Sequence, residues 1–464
     1  VSIPVADLHA AGVLRAANLD RLRLRTFRGV STDSRSAGKG ELFVALRGDQ
    51  FDGNAFVAQA FERGAACAVV DGRADTSPFA DKPYVVVKDT TAALGRLANL
   101  YRRRFSIPVL AIGGSNGKTT TKEMIASVLG TTYTVLSTQG NLNNHIGVPQ
   151  TIFRLRKKHE AAVVEVGTNH FGEIAYLCRI LEPTHALITN VGHEHLEFFK
   201  NLEGVAKAEA ELFAGLGKSA TAFVNVDDPY VAAFRVPARK KVTFGFGMAG
   251  RVAVRGLRPE VDGRGCGRFA VKPSGAKEFP VELTTPGKHG MMNALAAAAV
   301  GIAFGVPSAK IRTSLRSFTA VGKRMEVVRA GGVTILNDTY NANTDSVIAA
   351  LDTLGAMASK GKKIVILGDM RELGASSRRE HERVGDRIRA LGLSNVLTYG
   401  PESAAINGRL SCDVNFHYDQ KNVLSEYAAE LVARGDVVLV KGSRGMKMED
   451  VVTFLRERLT SRTG

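Results

Sequence analysis

The sequence predicts an α/β protein of three domains built on largely parallel sheets, and three observations carry that expectation. Short β-branched or apolar runs alternate with helical patterns almost from end to end, which is how parallel sheets covered by helices read in sequence. The run "AIGGSNGKTTTKEM", Ala111 to Met124, joins an apolar strand to a helix through a glycine-rich loop. The alternation also restarts twice, after the basic stretch "YRRRFSIP" (Tyr101 to Pro108) and around "VGKRMEVV" (Val321 to Val328). These restarts divide the chain into 1–106, 107–320 and 321–464, and a length of 464 residues suits two to four domains.

In the first block, "ELFVAL", "ACAVV" and "YVVV" are the strand runs. In the second they are "PVLAIGG", "AAVVEVG", "HALITNV" and "SATAFVNV". There follows a glycine-punctuated segment, "RVAVRGLRPEVDGRGCGRFAVKPSG", which reads as an antiparallel insert. The helix "MMNALAAAAVGIAFG" closes that block. The third block carries "ILNDTY", "KKIVILGDM", "SNVLTYG" and "VVLVKGS". No internal repeat or low-complexity segment interrupts the pattern.

The loop "GGSNGKTT" has the residues of a phosphate cradle. Glycines let successive backbone N–H groups and the following helix N-terminus point at one anion. Gly114, Ser115, Asn116 and Gly117 form the turn. Lys118 supplies a positive charge to the β- and γ-phosphates, Thr119 offers a hydroxyl to Mg²⁺, and Thr120 continues the first helical turn. The strict pattern G-x-x-x-x-G-K-[ST] wants glycine where this chain has Ile112, so the match is to the shorter core G-x-x-G-K-T. The alternative is a generic glycine-rich turn. Motors, kinases and ligases share such loops, so the loop alone does not name a reaction.

Downstream, Glu165 ends an apolar strand, where it either reaches Mg²⁺ or sits in water. His193 and His195 follow another strand end. No cysteine or third histidine accompanies them, which argues against zinc and for one imidazole near Mg²⁺ or phosphate. "NLEGVAKAEAELF" is amphipathic, with Leu202, Val205, Ala206, Leu212 and Phe213 on its apolar side. Its Lys207 reads as a solvated partner of Glu203 at i, i+4 spacing.

Lys and Arg outnumber Asp and Glu by 62 to 45, a formal charge of +17 that invites anionic ligands. The four cysteines are widely separated and pair into no metal or disulfide pattern, which points to reduced thiols and a cytoplasmic protein. No apolar run approaches the ~18 residues of a membrane helix, and the start of the chain lacks the pattern of a signal peptide.

Taken together, these runs resemble the Mur ligases, the ATP-dependent amide-forming enzymes of bacterial cell-wall precursor synthesis. The likeness spans nearly the whole chain. It rests on "TDSRSAGKGELFVALRGDQFDGNAFVAQAFERGAACAVV" in the first block. In the second it rests on "GGSNGKTTTKEM", "GNLNNHIGVPQTI", "EVGTNHFGEI", "TNVGHEHLEFF" and "GVAKAEAELF", and in the third on "NDTYNANTDSV", "ILGDMRELG" and "VKGSRGMKMEDVV". The "GNLNN" and "TYNAN" runs are specific to the member that adds D-alanyl-D-alanine. The Asp-Asn-Pro-Arg motif of the preceding, diaminopimelate-adding ligase is absent.

The resemblance implies an N-terminal UDP-muramoyl-binding domain, a central P-loop ATPase-type domain and a C-terminal Rossmann-like domain. It implies ATP and Mg²⁺ as cofactors, with Thr119, Glu165, His195 and a carbamylated Lys207 around the metal. Lys118, Lys207, His195 and Arg324 become the catalytic set. Asn293, Arg324, Asp338 and Tyr340 join the loop in holding the nucleotide. Ser34 and Arg35 fall in the run associated with the UDP-sugar, and Asn141, Asn143 and Asn144 in the substrate-binding run. The implied partners are a UDP-muramoyl-tripeptide and D-alanyl-D-alanine, acting on a monomer without nucleic acid. Departures from the family pattern are Gly290 after His289, Thr344 after Asn343, and Thr168. The rivals are another ligase of this family, adding the third residue, and a P-loop ATPase acting on nucleic acid. The second is favoured only by the basic charge, and no nucleic-acid module is recognisable.

Overall fold

A computed structural model of the chain describes residues 3–48, 51–247 and 251–461. Asp49 and Gln50, which belong to the first-block run quoted above, lie outside the described residues. Every strand run named from the sequence forms a strand, and the described residues form three large sheets and a two-stranded one, Ile3–Pro4 with Thr26–Phe27.

The first sheet has five strands in the order Val13–Ala17, Tyr84–Val87, Cys67–Asp71, Leu42–Val44, Val30–Ser31. All neighbours are parallel except the edge strand Val13–Ala17, which runs antiparallel to Tyr84–Val87. The third sheet has six strands, parallel apart from the hairpin Glu326–Ala330 and Val333–Asp338 at its edge.

The second sheet has nine strands, and its topology places the phosphate loop. The strand Val109–Gly113 lies between Ala161–Glu165 on one side and His185–Ile188 on the other, parallel to both. The chain therefore leaves this strand in opposite directions at a topological switch point. In open α/β sheets the ligand crevice lies outside the carboxyl ends of the strands at such a point. Here those ends deliver the loop after Gly113, the carboxylate of Glu165 and the segment Thr189–His195. The segment read as an antiparallel insert continues the same sheet. Val254–Val261, Cys266–Pro273 and Phe279–Pro286 pair antiparallel at its far edge.

Alternation of side chains along the central strands divides the core. Leu110, Ile112, Val163, Leu187 and Phe223 face one way, toward helices Lys118–Gly130 and His289–Ala303. Val109, Ala111, Ala162, Val164 and Ile188 face the other way. There they join a cluster continuous with Leu42, Val69 and Val85 of the first sheet. Helix Thr90–Arg102 links the two sheets: Tyr101 Oη donates to Leu155 O at 2.8 Å and Arg102 Nε to Leu181 O at 2.9 Å.

The position of Leu187, fully buried between the strands of Ile112 and Phe223, makes it a test of this core. Leu187→Ala is expected to cost about 2–5 kcal/mol, read as a lower midpoint of urea unfolding by circular dichroism. Leu14, 70% exposed, is the control. Leu14→Ala should move the midpoint by less than about 0.5 kcal/mol.

Candidate functional site

The loop geometry explains both the glycines and the departure from the strict motif. Gly114 has φ +112° and lies so close to the next strand end that a Cβ would come 2.2 Å from Thr189 Oγ1. Gly117 has φ +80° as it opens the helix Lys118–Gly130, and a Cβ there would come 2.7 Å from Asn293 Oδ1. Ile112, by contrast, is still inside the strand, fully buried and paired with Glu165 and Leu187, so no glycine is required there.

The loop is stitched to the segment after His185–Ile188. Ser115 N donates to Asn190 O at 2.9 Å and Asn116 N to Asn190 Oδ1 at 3.0 Å. Asn190 Nδ2 and Thr189 Oγ1 donate to Asn116 O at 2.9 and 2.7 Å, and Gly192 N donates to Ser115 Oγ at 2.8 Å. With the turn held by these bonds, the N–H groups of Lys118, Thr119 and Thr120 lie in the first helical turn, where no intrahelical acceptor exists. Those are the donors an anion takes.

Lys118 folds back over the loop. Its ammonium donates to Gly114 O, to Ser115 O at 3.3 Å and to Glu194 Oε2 at 3.3 Å. Burial pulls its pKa down, but the carboxylates of Glu194, Glu209 and Glu165 outweigh burial and hold it above the ordinary lysine value.

Glu165 is 2% exposed. Its Oε1 accepts from Asn143 Nδ2 at 2.9 Å, while its Oε2 is buried without a hydrogen-bond partner. His195 pairs through Nδ1 with Glu372 Oε2 at 2.5 Å, which leaves Nε2 on the side of Glu194, 3.9 Å from its Oε2. Burial lowers the pKa of this imidazole, and its hydrogen bond to the Glu372 carboxylate, with the charge of Glu194, more than reverses that. A histidine whose Nδ1 is tied to a carboxylate and whose Nε2 is open is an ordinary metal ligand. Among the described residues no three His, Cys, Asp or Glu side chains enclose a metal position unaided. Mg²⁺ needs no such cage, since it takes one or two carboxylates together with phosphate oxygens and water. The unpartnered oxygen of Glu165 fits it.

The third sheet's residues close over the loop. Arg324 Nη2 donates to Thr119 Oγ1 at 3.0 Å, and its guanidinium stacks on Tyr340 at 3.8 Å from the ring centre. Asn343 Nδ2 donates to Asn116 Oδ1 at 2.9 Å, and His193 N donates to Asp345 Oδ2 at 2.7 Å. These residues enclose a cavity of about 1280 Å³ that extends from Asp89 and Thr91 to Ser443 and Arg444. That exceeds the usual volume of a single small-molecule pocket, roughly 300–1,000 Å³.

Of the residues singled out from sequence, Ser115, Asn116, Gly117, Lys118, Thr119, Thr120, Asn141, Asn143, Asn144, Glu165, His195, Asn293, Arg324, Asp338 and Tyr340 line this cavity. Several have side chains already engaged. Asp338 accepts from Met325 N at 3.0 Å and pairs with Lys441 Nζ at 2.5 Å, so its carboxylate ties the start of strand Glu326–Ala330 to the end of Val437–Lys441. Two of the expected substrate-binding asparagines line the cavity with side chains already engaged. Asn143 orients Glu165, and Asn144 Oδ1 accepts from the N–H groups of Ile146 and Gly147 at the start of helix Gly147–Phe153.

Ser34 and Arg35 lie outside this cavity. Ser34 Oγ donates to Gln59 Oε1 at 2.7 Å, and the exposed Arg35 pairs with Asp33 at 2.8 Å. Lys207, expected among the metal ligands, is not among the residues that line this cavity. It is exposed, with its amine 5.4 Å from the ring centre of Phe171. The residue of the same helix that meets the loop is Glu209, and side chains two apart on a helix point to nearly opposite sides.

Glu194, Glu209 and Glu372 were not anticipated from sequence. Glu209 did leave a signal: with Val205 and Leu212 it forms an i, i+4, i+7 stripe on the buried face, a carboxylate in an apolar row.

Comparisons with known proteins agree with this geometry. Residues 112–301 match the Mur ligase middle domain, 323–444 the Mur ligase glutamate ligase domain, and 26–102 the Mur ligase family catalytic domain. The UDP-N-acetylmuramoyl-tripeptide–D-alanyl-D-alanine ligase of Escherichia coli is 38% identical over 439 residues, covering 94% of this chain and 95% of that one. That of Bacillus subtilis is 37% identical over 434 residues, covering 92% and 93%. A crystal structure of MurF from Acinetobacter baumannii superposes with a TM-score of 0.89 at 31% identity, covering 98% of this chain and 99% of that one. MurF ligase from Thermotoga maritima in complex with ADP gives 0.83 at 29%, covering 94% and 98%. Fold and site define an ATP-dependent ligase of three α/β units. The chain belongs to the Mur ligase family.

Lys118→Gln removes the charge while keeping most of the side chain. It is expected to lower ADP formation more than tenfold, a loss above about 1.4 kcal/mol of transition-state stabilisation. Circular dichroism should report a folded protein, because the neighbouring carboxylates can take up protons instead.

Proposed function

We propose that this chain joins D-alanyl-D-alanine to the terminal carboxylate of UDP-N-acetylmuramoyl-tripeptide, with ATP converted to ADP and phosphate, in peptidoglycan precursor synthesis. The observation that carries the reading is the similarity to ligases of that name over more than nine-tenths of the chain. The enclosed site, with its phosphate loop facing residues of the third unit, supports it. The working units are taken as 1–106 for the UDP-muramoyl end, 107–320 for ATP and 321–464 for closure, in a cytoplasmic monomer that needs no nucleic acid.

In this reading the donor carboxylate attacks the γ-phosphorus of ATP, ADP leaves, and an acyl phosphate forms. The amine of D-alanyl-D-alanine then attacks the acyl carbon, and the tetrahedral intermediate collapses to the amide and phosphate. Two anions must meet in the first step, so positive charge has to be in place beforehand. Lys118 and Arg324 bring it. Arg324 is aimed at the loop by Thr119 and held flat by Tyr340. Thr119, Glu165 and His195 would hold Mg²⁺, which supplies Lewis-acid neutralisation of phosphate charge. Asn293 and the first-turn N–H groups seat the nucleotide. Closure through Asn116, Asn343, His193 and Asp345 keeps water from the acyl phosphate. Ser34 and Arg35 are assigned to the UDP end and Asn141 to the peptide end. The excess positive charge suits a substrate that carries a diphosphate and carboxylates.

Phosphate release, measured with ATP, Mg²⁺ and each donor–amine pair in turn, tests the assignment. Release should require both UDP-muramoyl-tripeptide and D-alanyl-D-alanine, and a free amino acid should not replace the dipeptide. Faster release with UDP-muramoyl-dipeptide and diaminopimelate or lysine would make this the preceding ligase. Hydrolysis driven by a polynucleotide alone would overturn the ligase assignment.

A further inference from the structure

We propose that Glu209 is a built-in metal-ligating carboxylate of the phosphate site, paired with Glu165, and that the site needs no carbamate on Lys207. The inference rests on the ATP-ligase reading only for the presence of a nucleotide phosphate.

Helix Leu202–Ala214 begins where Asn201 Oδ1 accepts from Gly204 N at 2.9 Å, and it lays Val205, Glu209 and Leu212 against the central sheet. Glu209 is fully buried. An ionised carboxylate does not stay buried without partners. One oxygen, Oε2, accepts from Gly114 N at 2.6 Å, so the side chain is fastened to the phosphate loop itself. The approach is close enough that a Cβ on Gly113 would come 2.8 Å from this oxygen. The other oxygen, Oε1, is buried with no hydrogen-bond partner.

Glu165 repeats the pattern: one oxygen is held by Asn143 and the other is unpartnered. Two buried carboxylates, each anchored through one oxygen and open at the other, lie beside the phosphate loop: Glu209 is bonded to Gly114 N, whose carbonyl accepts from Lys118, and Glu165 pairs with Ile112 in the neighbouring strand. Anchoring through the second oxygen is how proteins orient carboxylate ligands. In this structure Lys118 is the cation that these groups share.

A nucleotide phosphate attracts Lys118 outward. The carboxylates it leaves then lack a counter-charge, which Glu209 and Glu165 would regain by holding a divalent cation. Lys207, exposed and on the far side of the helix, has no part in this balance. A carbamate would give a lysine a carboxylate-like end, whereas Glu209 carries a carboxyl group already in contact with the loop.

The alternative is that Glu209 only anchors Gly114. Glu209→Gln separates the two, because an amide oxygen still accepts from Gly114 N while the charge is gone. The measurement is Mn²⁺ binding, followed by the loss of the free-ion electron paramagnetic resonance signal, with ADP present and no muramoyl substrate. ADP affinity without metal is measured alongside. The expected result is a loss of Mn²⁺ affinity of about tenfold to a hundredfold, with metal-free ADP binding and the thermal melt of Glu209→Gln no worse than for the unaltered protein. Lys207→Ala should bind Mn²⁺ unchanged, in buffer with or without bicarbonate. Unchanged Mn²⁺ affinity in Glu209→Gln overturns the proposal, as does a matching loss of metal-free ADP binding. Bicarbonate-dependent Mn²⁺ binding that disappears in Lys207→Ala overturns it too. Because no donor or acceptor is used, an error in the assigned ligase substrates leaves these readings unaffected.

Discussion

The ammonium of Lys118 is the contact on which the rest of the site depends. It is held by the carbonyls of Gly114 and Ser115 and by the carboxylate of Glu194, and the charges of Glu209 and Glu165 favour it further. A loop built to hold phosphate has to gather donors and positive charge at one point. Without an anion present, that point would be a concentration of unbalanced charge. The carboxylates resolve the problem by giving Lys118 an internal partner, and the same carboxylates suit Mg²⁺ once phosphate competes for the lysine. Their placement follows from topology. Glu165 and Glu194 come from the carboxyl ends of the strands flanking Val109–Gly113, and Glu209 from a helix packed on the same sheet.

The same constraint explains why the third unit is needed. The loop and metal groups all belong to the central sheet, yet the charge of Arg324 and the contacts of Asn343 and Asp345 arrive from beyond it. Asp338, held between Met325 N and Lys441, fixes the residue that follows Arg324. A site divided between two bodies assembles only on closure, and this couples the arrangement of charge to the exclusion of water.

Much of this was legible in the sequence because it is local. The strand runs of the central sheet are short, apolar and bounded by glycine, so period and punctuation agree. The glycines at 114 and 117 mark positions with positive φ, and Lys118 and Thr119 follow at fixed spacing. Edge elements were harder to read. Val13–Ala17 is mostly exposed and carries little apolar pattern, and its antiparallel pairing is a tertiary choice. The bond from Asn143 to Glu165 was also beyond sequence, since only folding brings that partner near. Lys207 and Glu209 show the limit most clearly. A motif directs attention to the lysine, while the helical period puts the glutamate on the buried face. Spacing within the motif could not decide between them, but the i, i+4, i+7 row with Val205 and Leu212 could.

The central claim is that Lys118 exchanges partners, from carboxylates and loop carbonyls to nucleotide phosphate. A crystal structure with Mg²⁺ and a non-hydrolysable ATP analogue tests it most directly. The account predicts that Lys118 Nζ leaves Gly114 O and Ser115 O for the β- and γ-phosphate oxygens, with Mg²⁺ on the side of the vacated carboxylates. If Lys118 keeps its contacts with Gly114, Ser115 and Glu194 while the phosphates are held by backbone N–H groups alone, the account is contradicted.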